Sequence, residues 1–324
     1  MTTKTYKFPV ETCARRGGSQ TPLGCDLDNT FFKKECPGYP NLPTVLPEME
    51  RVIAIGDIHG DYNLAVRCLL LAKVIDDKLN WVAVPPTTVV VQVGDQIDSC
   101  RPYPEVYDCH NERKKGDTAN DVKVIQFFDM IDKKARLVGG MVISLLGNHE
   151  IMNSQGIFSY VSYANYNEFK YKVKDINLEG REGRKQAFAP GGPLAKHLAC
   201  SRLSAVIIGS NLFVHAGILP SLLNKIELSG KDERLKVAYI NQVVSRWLLN
   251  KLDAADKDDL ANLLNSKYNS PFWPRILGTI DPDIPMTDHR CHKNVGKVLN
   301  VLKIGNIIIG HTPQLYRQRI NCYR

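Results

Sequence analysis

A chain of 324 residues can bury a full hydrophobic core as one large or two smaller domains, and 44% hydrophobic with 23% charged residues excludes disorder of the whole chain. The formal net charge of +8 favours anionic partners, but Lys and Arg are scattered, so the charge pattern does not call for nucleic acid. No apolar run is long enough to span a membrane, and the amino terminus, MTTKTYKFPVETCARRGG, lacks the apolar core of a signal peptide.

Nine cysteines, an odd number without a CxxC pair, predict reduced thiols and a cytoplasmic location. Residues 1 to about 45 are rich in Gly, Pro, Thr and Cys without a sustained period, and read as an irregular extension ahead of a catalytic domain over 46–324. Within the extension, Asp26, Asp28 and Thr30 spell DxDxT, the nucleophile loop of haloacid-dehalogenase-type phosphatases. That loop needs a buried strand just before it, and Gln20 to Cys25 supplies none.

From Arg51 the pattern turns to alternating strand and helix. Val52 to Ile55 predicts a buried strand, which Gly56 ends where Asp57 and His59 follow. Leu64, Cys68, Leu71, Ala72 and Ile75 recur at helical spacing, with Asp61 or Asn63 placed to cap the helix. Thr87 to Val93 is the next strand and leads into Gly94, Asp95 and Asp98. A polar insertion over 99–120 precedes a helix at Asp121 to Arg136, with Val124, Phe127, Phe128 and Ile131 on one face. Met141 to Leu146 is a third strand and delivers Gly147, Asn148, His149 and Glu150. Residues 151–190, with Tyr160, Tyr163, Tyr166 and Phe169, read as a packed cover over the site. Ala205 to Ile208 and Asn211 to Val214 predict a hairpin that ends in His215. Helices follow around Ile240 to Leu248 and Asp256 to Asn265, and a last strand at Asn306 to Ile309 precedes His311. Strands alternating with helices argue for an α/β layered core.

Metal-type ligands therefore recur at strand ends: Asp57, His59, Asp95, Asn148, His215 and His311. Strand ends on one edge form a single crevice, where residues distant in sequence converge. Mixed oxygen and nitrogen donors suit first-row transition ions, and six are about right for two ions sharing a carboxylate, for which Asp95 is the natural bridge. Two such ions clamp a phosphoryl group and lower the pKa of a bound water to about 7. His149 cannot easily point the same way as its neighbour Asn148, which leaves it free to protonate a leaving alkoxide, with Asp98 available to hold its imidazolium.

GDIHG, GDQID, GNHE, FVHAG and GHT together resemble the calcineurin-like metallophosphoesterases, and GDxHG with GNHE resembles their phosphoprotein phosphatase branch. LLGNHEIMN, GGPLAKHL, AVIIGSNLFVHAGILP, INQVVSRWL, SPFWPR and IIIGHTPQ resemble the Shewanella-like, bacterial-type phosphatases. The resemblance covers about Arg51 to the carboxyl terminus. It implies a central two-sheet β-sandwich flanked by helices, in α/β/β/α layers, with the ligands on loops at strand ends. It also implies Asp57, His59 and Asp95 on one metal and Asp95, Asn148, His215 and His311 on the other. By the same resemblance two divalent ions, manganese first and iron or zinc next, supply a bridging hydroxide that attacks the phosphate of a phosphorylated protein or small ester. His149 is then the general acid, Asp98 its orienting carboxylate, and Arg275, Arg101 and Asn148 the phosphate contacts.

The sequence departs from that pattern in three places. Asp98 is followed by Ser99, Cys100 and Arg101 where the pattern has Arg directly, so Arg101 swings in or one phosphate clamp is missing. The chain stops at Tyr323 and Arg324, which leaves the sheet incomplete or the sequence truncated. Cys100, Cys109 and His110, and His289, Cys291 and His292, form clusters without zinc-ligand spacing. Pro313 stands where nucleases and phosphodiesterases carry the second His of GHxH, which favours a phosphomonoesterase. Diadenosine tetraphosphate hydrolases share most of the motifs and are the alternative, and a catalytically silent scaffold is the reading from a different class.

Overall fold

The computed structural model describes residues 30–101, 109–113, 115–173, 176–227, 232–266, 268–314 and 322. The strands are β1 (Val45–Leu46), β2 (Val52–Ile55), β3 (Val89–Gln92), β4 (Met141–Leu145), β5 (Lys170–Val173), β6 (Ile176–Glu179), β7 (Arg202–Leu203), β8 (Ala205–Ile208), β9 (Asn211–Val214) and β10 (Asn306–Ile308). The helices are α1 (Thr30–Glu35), α2 (Tyr62–Leu71), α3 (Asp121–Arg136), α4 (Asn148–Ser154), α5 (Tyr163–Tyr166), α6 (Gly180–Phe188), α7 (Pro193–Ser201), α8 (Pro220–Leu223), α9 (Leu235–Leu248), α10 (Lys257–Asn265), α11 (His289–Cys291) and α12 (Lys297–Leu302).

Alternation along single strands builds the layers. One sheet has the order β2-β3-β4-β7, all parallel, and the other β1-β8-β9-β10, parallel except for the β8–β9 hairpin. Val89, Val91, Met141, Ile143 and Leu145 of the first sheet meet Leu46, Val206, Ile208 and Phe213 of the second in a shared core. The residues between them face outward: Val90 and Val142 pack against Leu69, Phe127, Phe128 and Ile131 of α2 and α3. Ala205, Ile207, Leu212 and Val214 pack against α7, α9 and α12. Because side chains alternate across a strand, two buried faces force continuous apolar runs such as VVVQ and AVII. The result is the expected two-sheet sandwich between helical layers.

Differences from the sequence reading lie where the period is too short to see. Part of the segment read as irregular forms α1, and Val45 and Leu46 add β1 parallel to β8. Asp26 and Asp28 lie outside the described residues. Strands β5 and β6 form an antiparallel hairpin inside the segment read only as cover. Asp61, one of the two candidate caps, accepts the Leu64 N–H at the start of α2. No described helix is long and apolar enough to cross a membrane.

The expectation of reduced thiols is corrected. Cys36 pairs with Cys200, Cys100 with Cys109 and Cys291 with Cys322, at Cα separations of 5.5, 5.8 and 5.5 Å. Among the described residues Cys68 is the free thiol. Cys36 and Cys200 are 164 residues apart and are brought together by the tertiary fold, so spacing could not reveal them.

Candidate metal centre

Five loops bring the predicted ligands to one edge. Strands β2, β3 and β4 run parallel, as do β9 and β10, so the loops after all five leave the sandwich at their carboxyl ends. Hydrogen bonds stitch those loops together across the two sheets. Ile58 and His59 donate their N–H groups to Asp95 O at 2.9 Å each, and Gly310 N donates to His215 O at 2.8 Å. The His311 N–H lies 3.2 Å from both Asp57 carboxylate oxygens.

Four of the predicted residues sit in left-handed backbone: His59 (φ 51°), Asp95 (55°), Asp98 (70°) and His311 (60°). Non-glycine residues rarely adopt this region, although Asp and His tolerate it better than most, and such strain persists only where the surroundings over-determine it. Gly94 (φ 96°) adds a close approach, since a Cβ there would lie 2.6 Å from Gly147 N.

The imidazoles are oriented by groups that can only accept. His215 Nδ1 bonds Val93 O at 2.8 Å, His59 Nδ1 bonds Ile97 O at 3.2 Å and His311 Nε2 bonds Trp273 O at 3.2 Å. A carbonyl oxygen has no hydrogen to give, so each of these nitrogens carries the proton and the other ring nitrogen offers a lone pair. Those lone pairs converge. His215 Nε2 lies 2.9 Å from Asn148 Oδ1, 3.2 Å from His311 Nδ1 and 3.3 Å from Asp95 Oδ2. His59 Nε2 lies 3.8 Å from both Asp57 Oδ2 and Asp95 Oδ2.

Donor atoms that face one another without hydrogens repel unless a cation or a proton lies among them. Their separations match those of atoms sharing one ion at about 2.1 Å, and the donor set suits a first-row metal. Asp95 is the common member of the His59 side and the His215–His311 side. Its Oδ1 is taken by the His149 N–H at 3.0 Å, so Oδ2 alone faces the imidazoles. The residues thus fit divalent metal ions.

The electrostatics agree. Burial would lower the His215 pKa, but Asp95 and then Asp57 raise it to about 9. Burial pushes His59 down to about 4 despite Asp95, and burial with His215 alongside pushes His311 to about 3. Burial would raise Asp95, yet His215 and His149 hold it well below the carboxylate range. The buried Asp95 carboxylate therefore favours positive charge beside it, whether a proton on His215 or a cation among the donors.

His149 leaves α4 in a different direction from Asn148. Its Nδ1 donates to Asp98 Oδ2 at 2.9 Å, and its Nε2 lies 3.8 Å from Asp95 Oδ2. Burial would lower its pKa, but Asp95 and Asp98 raise it. Arg101 folds back, donating to Asp98 O and Cys100 O at 3.0 and 2.8 Å, and lies over the Tyr160 ring at 5.8 Å. Tyr160 in turn stands edge-on to His149 at 4.9 Å. Arg275 is exposed and close enough to His311 to help lower its pKa.

Some participants were missed in sequence. Glu150 accepts N–H groups from Gly147, Asp95 and Gln96 at 2.7, 3.0 and 2.8 Å, clamping the Asp95 loop to α4. Asn153, at the end of LLGNHEIMN, and Arg184 reach Asp98, a contact that no local pattern announces. Cys100, Cys109 and Cys291 are disulfide-bonded and, so paired, offer no thiolate to a metal, although Cys100, Cys109 and His110 do lie together.

The chain is 45% identical over 195 residues to an uncharacterized protein of Acanthamoeba polyphaga mimivirus, across 60% of this chain and 77% of that one. It is 28% identical over 211 residues to Shewanella-like protein phosphatase 2 of Arabidopsis thaliana, across 55% of this chain, and spans about half (49%) of that relative. Its fold is shared with a cold-active protein-tyrosine phosphatase of a psychrophilic Shewanella species, at TM-score 0.54 and 21% identity, over 84% of this chain and 69% of that one. Residues 50–315 match the calcineurin-like phosphoesterase family, the same stretch that supplies every strand-end ligand above, and the chain belongs to that family of metal-dependent hydrolases.

Proposed function

We propose that the protein is a two-metal phosphomonoesterase acting on phosphorylated proteins. The observation that carries this is the meeting of Asp57, His59, Asp95, Asn148, His215 and His311 at one rim, with His149 Nε2 beside it. Asp57, His59 and Asp95 would hold one divalent ion, and Asp95, Asn148, His215 and His311 a second, with manganese the first candidate. When bound, such ions polarise a phosphoryl oxygen and make hydroxide available near neutral pH.

The chain's own residues supply the rest. Asp98 holds His149 by its Nδ1–H, so that Nε2 can carry a proton to the departing oxygen. Arg275 and Arg101 border the rim near His311 and His149, where a guanidinium fork can bind phosphoryl oxygens, and the Asn148 amide is a further contact. Pro313 in GHTPQ and the protein phosphatases among the relatives favour phosphomonoesters over phosphodiesters.

The test is hydrolysis by manganese-loaded protein of p-nitrophenyl phosphate, of phosphoserine, phosphothreonine and phosphotyrosine peptides, and of diadenosine tetraphosphate. Turnover of the phosphopeptides supports the reading. Exclusive turnover of the dinucleotide replaces it, and inactivity on all of them leaves a scaffold. Three disulfides among the described residues support an oxidising compartment over the cytoplasm. Titration of free thiols in protein prepared without reductant checks this, and a full complement of free thiols would restore the cytoplasmic reading.

A further inference from the structure

Arg184, on α6, is wholly buried at 0% exposure and far from the metal ligands in sequence. Its Nη2 donates to Asp98 Oδ1 at 2.9 Å and lies 2.9 Å from Asp121 Oδ2. Its Nε donates to Asn153 Oδ1 at 2.6 Å. Asn153 Nδ2 then donates to Asp98 Oδ2 at 2.9 Å, the same oxygen that receives the His149 Nδ1–H. The guanidinium also lies against the rings of Phe188 and Phe169, at 4.9 and 5.2 Å from the ring centres. Asp121 Oδ1 meanwhile accepts the Asp98 N–H at 3.1 Å and fixes that left-handed residue from behind. Gly60 makes room for this, since a Cβ there would stand 2.8 Å from Asp121 Oδ1.

A buried ion pair is weak evidence for stability, because removing charges from water costs about as much as their attraction returns. This one is also crowded. Burial raises the Asp121 carboxyl, to about 6, with Arg184 pulling it down and Asp98 pushing it up. What the arrangement does supply is direction. Both Asp98 oxygens are pinned, one by Arg184 and the other by Asn153, which Arg184 itself orients. The carboxylate therefore cannot rotate away from His149.

We propose that Arg184 is a positioning residue for phosphoryl transfer: through Asp98 and Asn153 its guanidinium fork fixes the imidazole of His149 toward the leaving oxygen. The inference rests on the phosphatase reading. Its consequence is a selective one, because a misplaced acid matters little for a good leaving group and greatly for a poor one.

The experiment measures kcat and KM of Arg184→Lys with p-nitrophenyl phosphate, phenyl phosphate and a phosphoserine peptide, together with inhibition by inorganic phosphate and bound manganese. Lysine keeps the charge but has one nitrogen where the fork donates to Asp98 and Asn153 through two, Nη2 and Nε. The double variant Arg184→Met/Asp121→Asn, which leaves no uncompensated carboxylate from that pair, is measured alongside in case the single variant does not fold. The expected result is a loss in kcat of a few-fold with p-nitrophenyl phosphate, rising to about 100-fold with the peptide, the scale of a 1 Å misplacement. Phosphate inhibition and metal content stay unchanged. A loss equal across the series, or no loss, overturns the inference while the phosphatase reading stands. An inert wild-type protein overturns both.

Discussion

Gly147 and Gly56 both precede ligands of the proposed centre, and their surroundings are opposite. A Cβ on Gly147 would overlap Asp95 Oδ1 and the Asp95 backbone N, and lie 2.8 Å from Asp95 Cγ. The residue's φ of −108° is open to any amino acid, so alanine would meet Asp95 and no intrinsic backbone strain. Asp95 has nowhere to go. Its Oδ1 accepts the His149 N–H at 3.0 Å, its own N–H bonds Glu150 Oε2 at 3.0 Å, and the Gly147 N–H bonds that same oxygen at 2.7 Å. Overpacking of this kind costs about 1–3 kcal/mol, which amounts to roughly 5–150-fold in metal affinity if it falls on the shared carboxylate. Gly56→Ala is the control, because a Cβ there meets nothing within 4 Å. Manganese retained after dialysis, and the manganese concentration giving half-maximal hydrolysis of p-nitrophenyl phosphate, read the effect directly. Gly147→Ala should need about 5–150-fold more metal while Gly56→Ala stays within about twofold of wild type. Equal manganese dependence in the two variants would refute the placement of Asp95 as the shared ligand.

His149→Asn should keep its metal and lose about two to four decades of kcat with a phosphopeptide; intact turnover would remove His149 from the mechanism. Acid stability should reflect Asp129, 2.6 Å from Arg202 and 2.8 Å from His197. Burial would raise its pKa, but Arg202 and then His197 outweigh it and hold it at about 2. A folded pKa below the unfolded value of about 3.9 means stability present above pH ~4 and lost as pH falls toward ~2, about 2 kcal/mol in all. Urea unfolding of wild type and Asp129→Asn between pH 5 and 2.5 checks this, and a pH-independent difference between them would count against it. Reducing the disulfides, with Cys36→Ser/Cys200→Ser as the specific variant, should lower stability by about 2–5 kcal/mol, since the Cys36–Cys200 bond closes a loop spanning 164 residues. Unchanged thermal unfolding in that variant would show that the bond constrains little.

The candidate strand-end ligands were legible because each closely follows an apolar run, in every case but His215 with a glycine between, a local pattern with a local cause. The same is true of Asp121 to Arg136, whose helical period needs only its own residues. Arg184 carries no such mark, and Glu150 and Asn153, although they lie in LLGNHEIMN, have roles set by distant partners. Glu150 acts by accepting backbone N–H groups from a loop more than fifty residues away, and Arg184 by crossing from α6 to a carboxylate at position 98. Strand β1 is two residues long and exists because Val45 and Leu46 find Ile207 and Ile208, which no period could announce. Cysteine pairing failed for the same reason, as counting residues says nothing about which distant pair a tertiary contact brings together.

The start of α4 shows how one short element serves two chemistries. Asn148 and His149 are neighbours at its first turn, where successive side chains diverge by about 100°. Asn148 Oδ1 therefore reaches His215 on the metal side, while the His149 ring turns to Asp98 and Tyr160. The His149 N–H, left without an intrahelical partner at the helix start, is taken by Asp95 Oδ1. One carboxylate thus caps the helix that carries the proposed acid and presents its other oxygen to His215 among the proposed ligands, so on this reading acid and metal site cannot shift independently. Asp95→Asn tests that linkage. An amide at this position loses the negative charge shared by both sides, so metal content and turnover should fall together. Retention of either one alone would break the link.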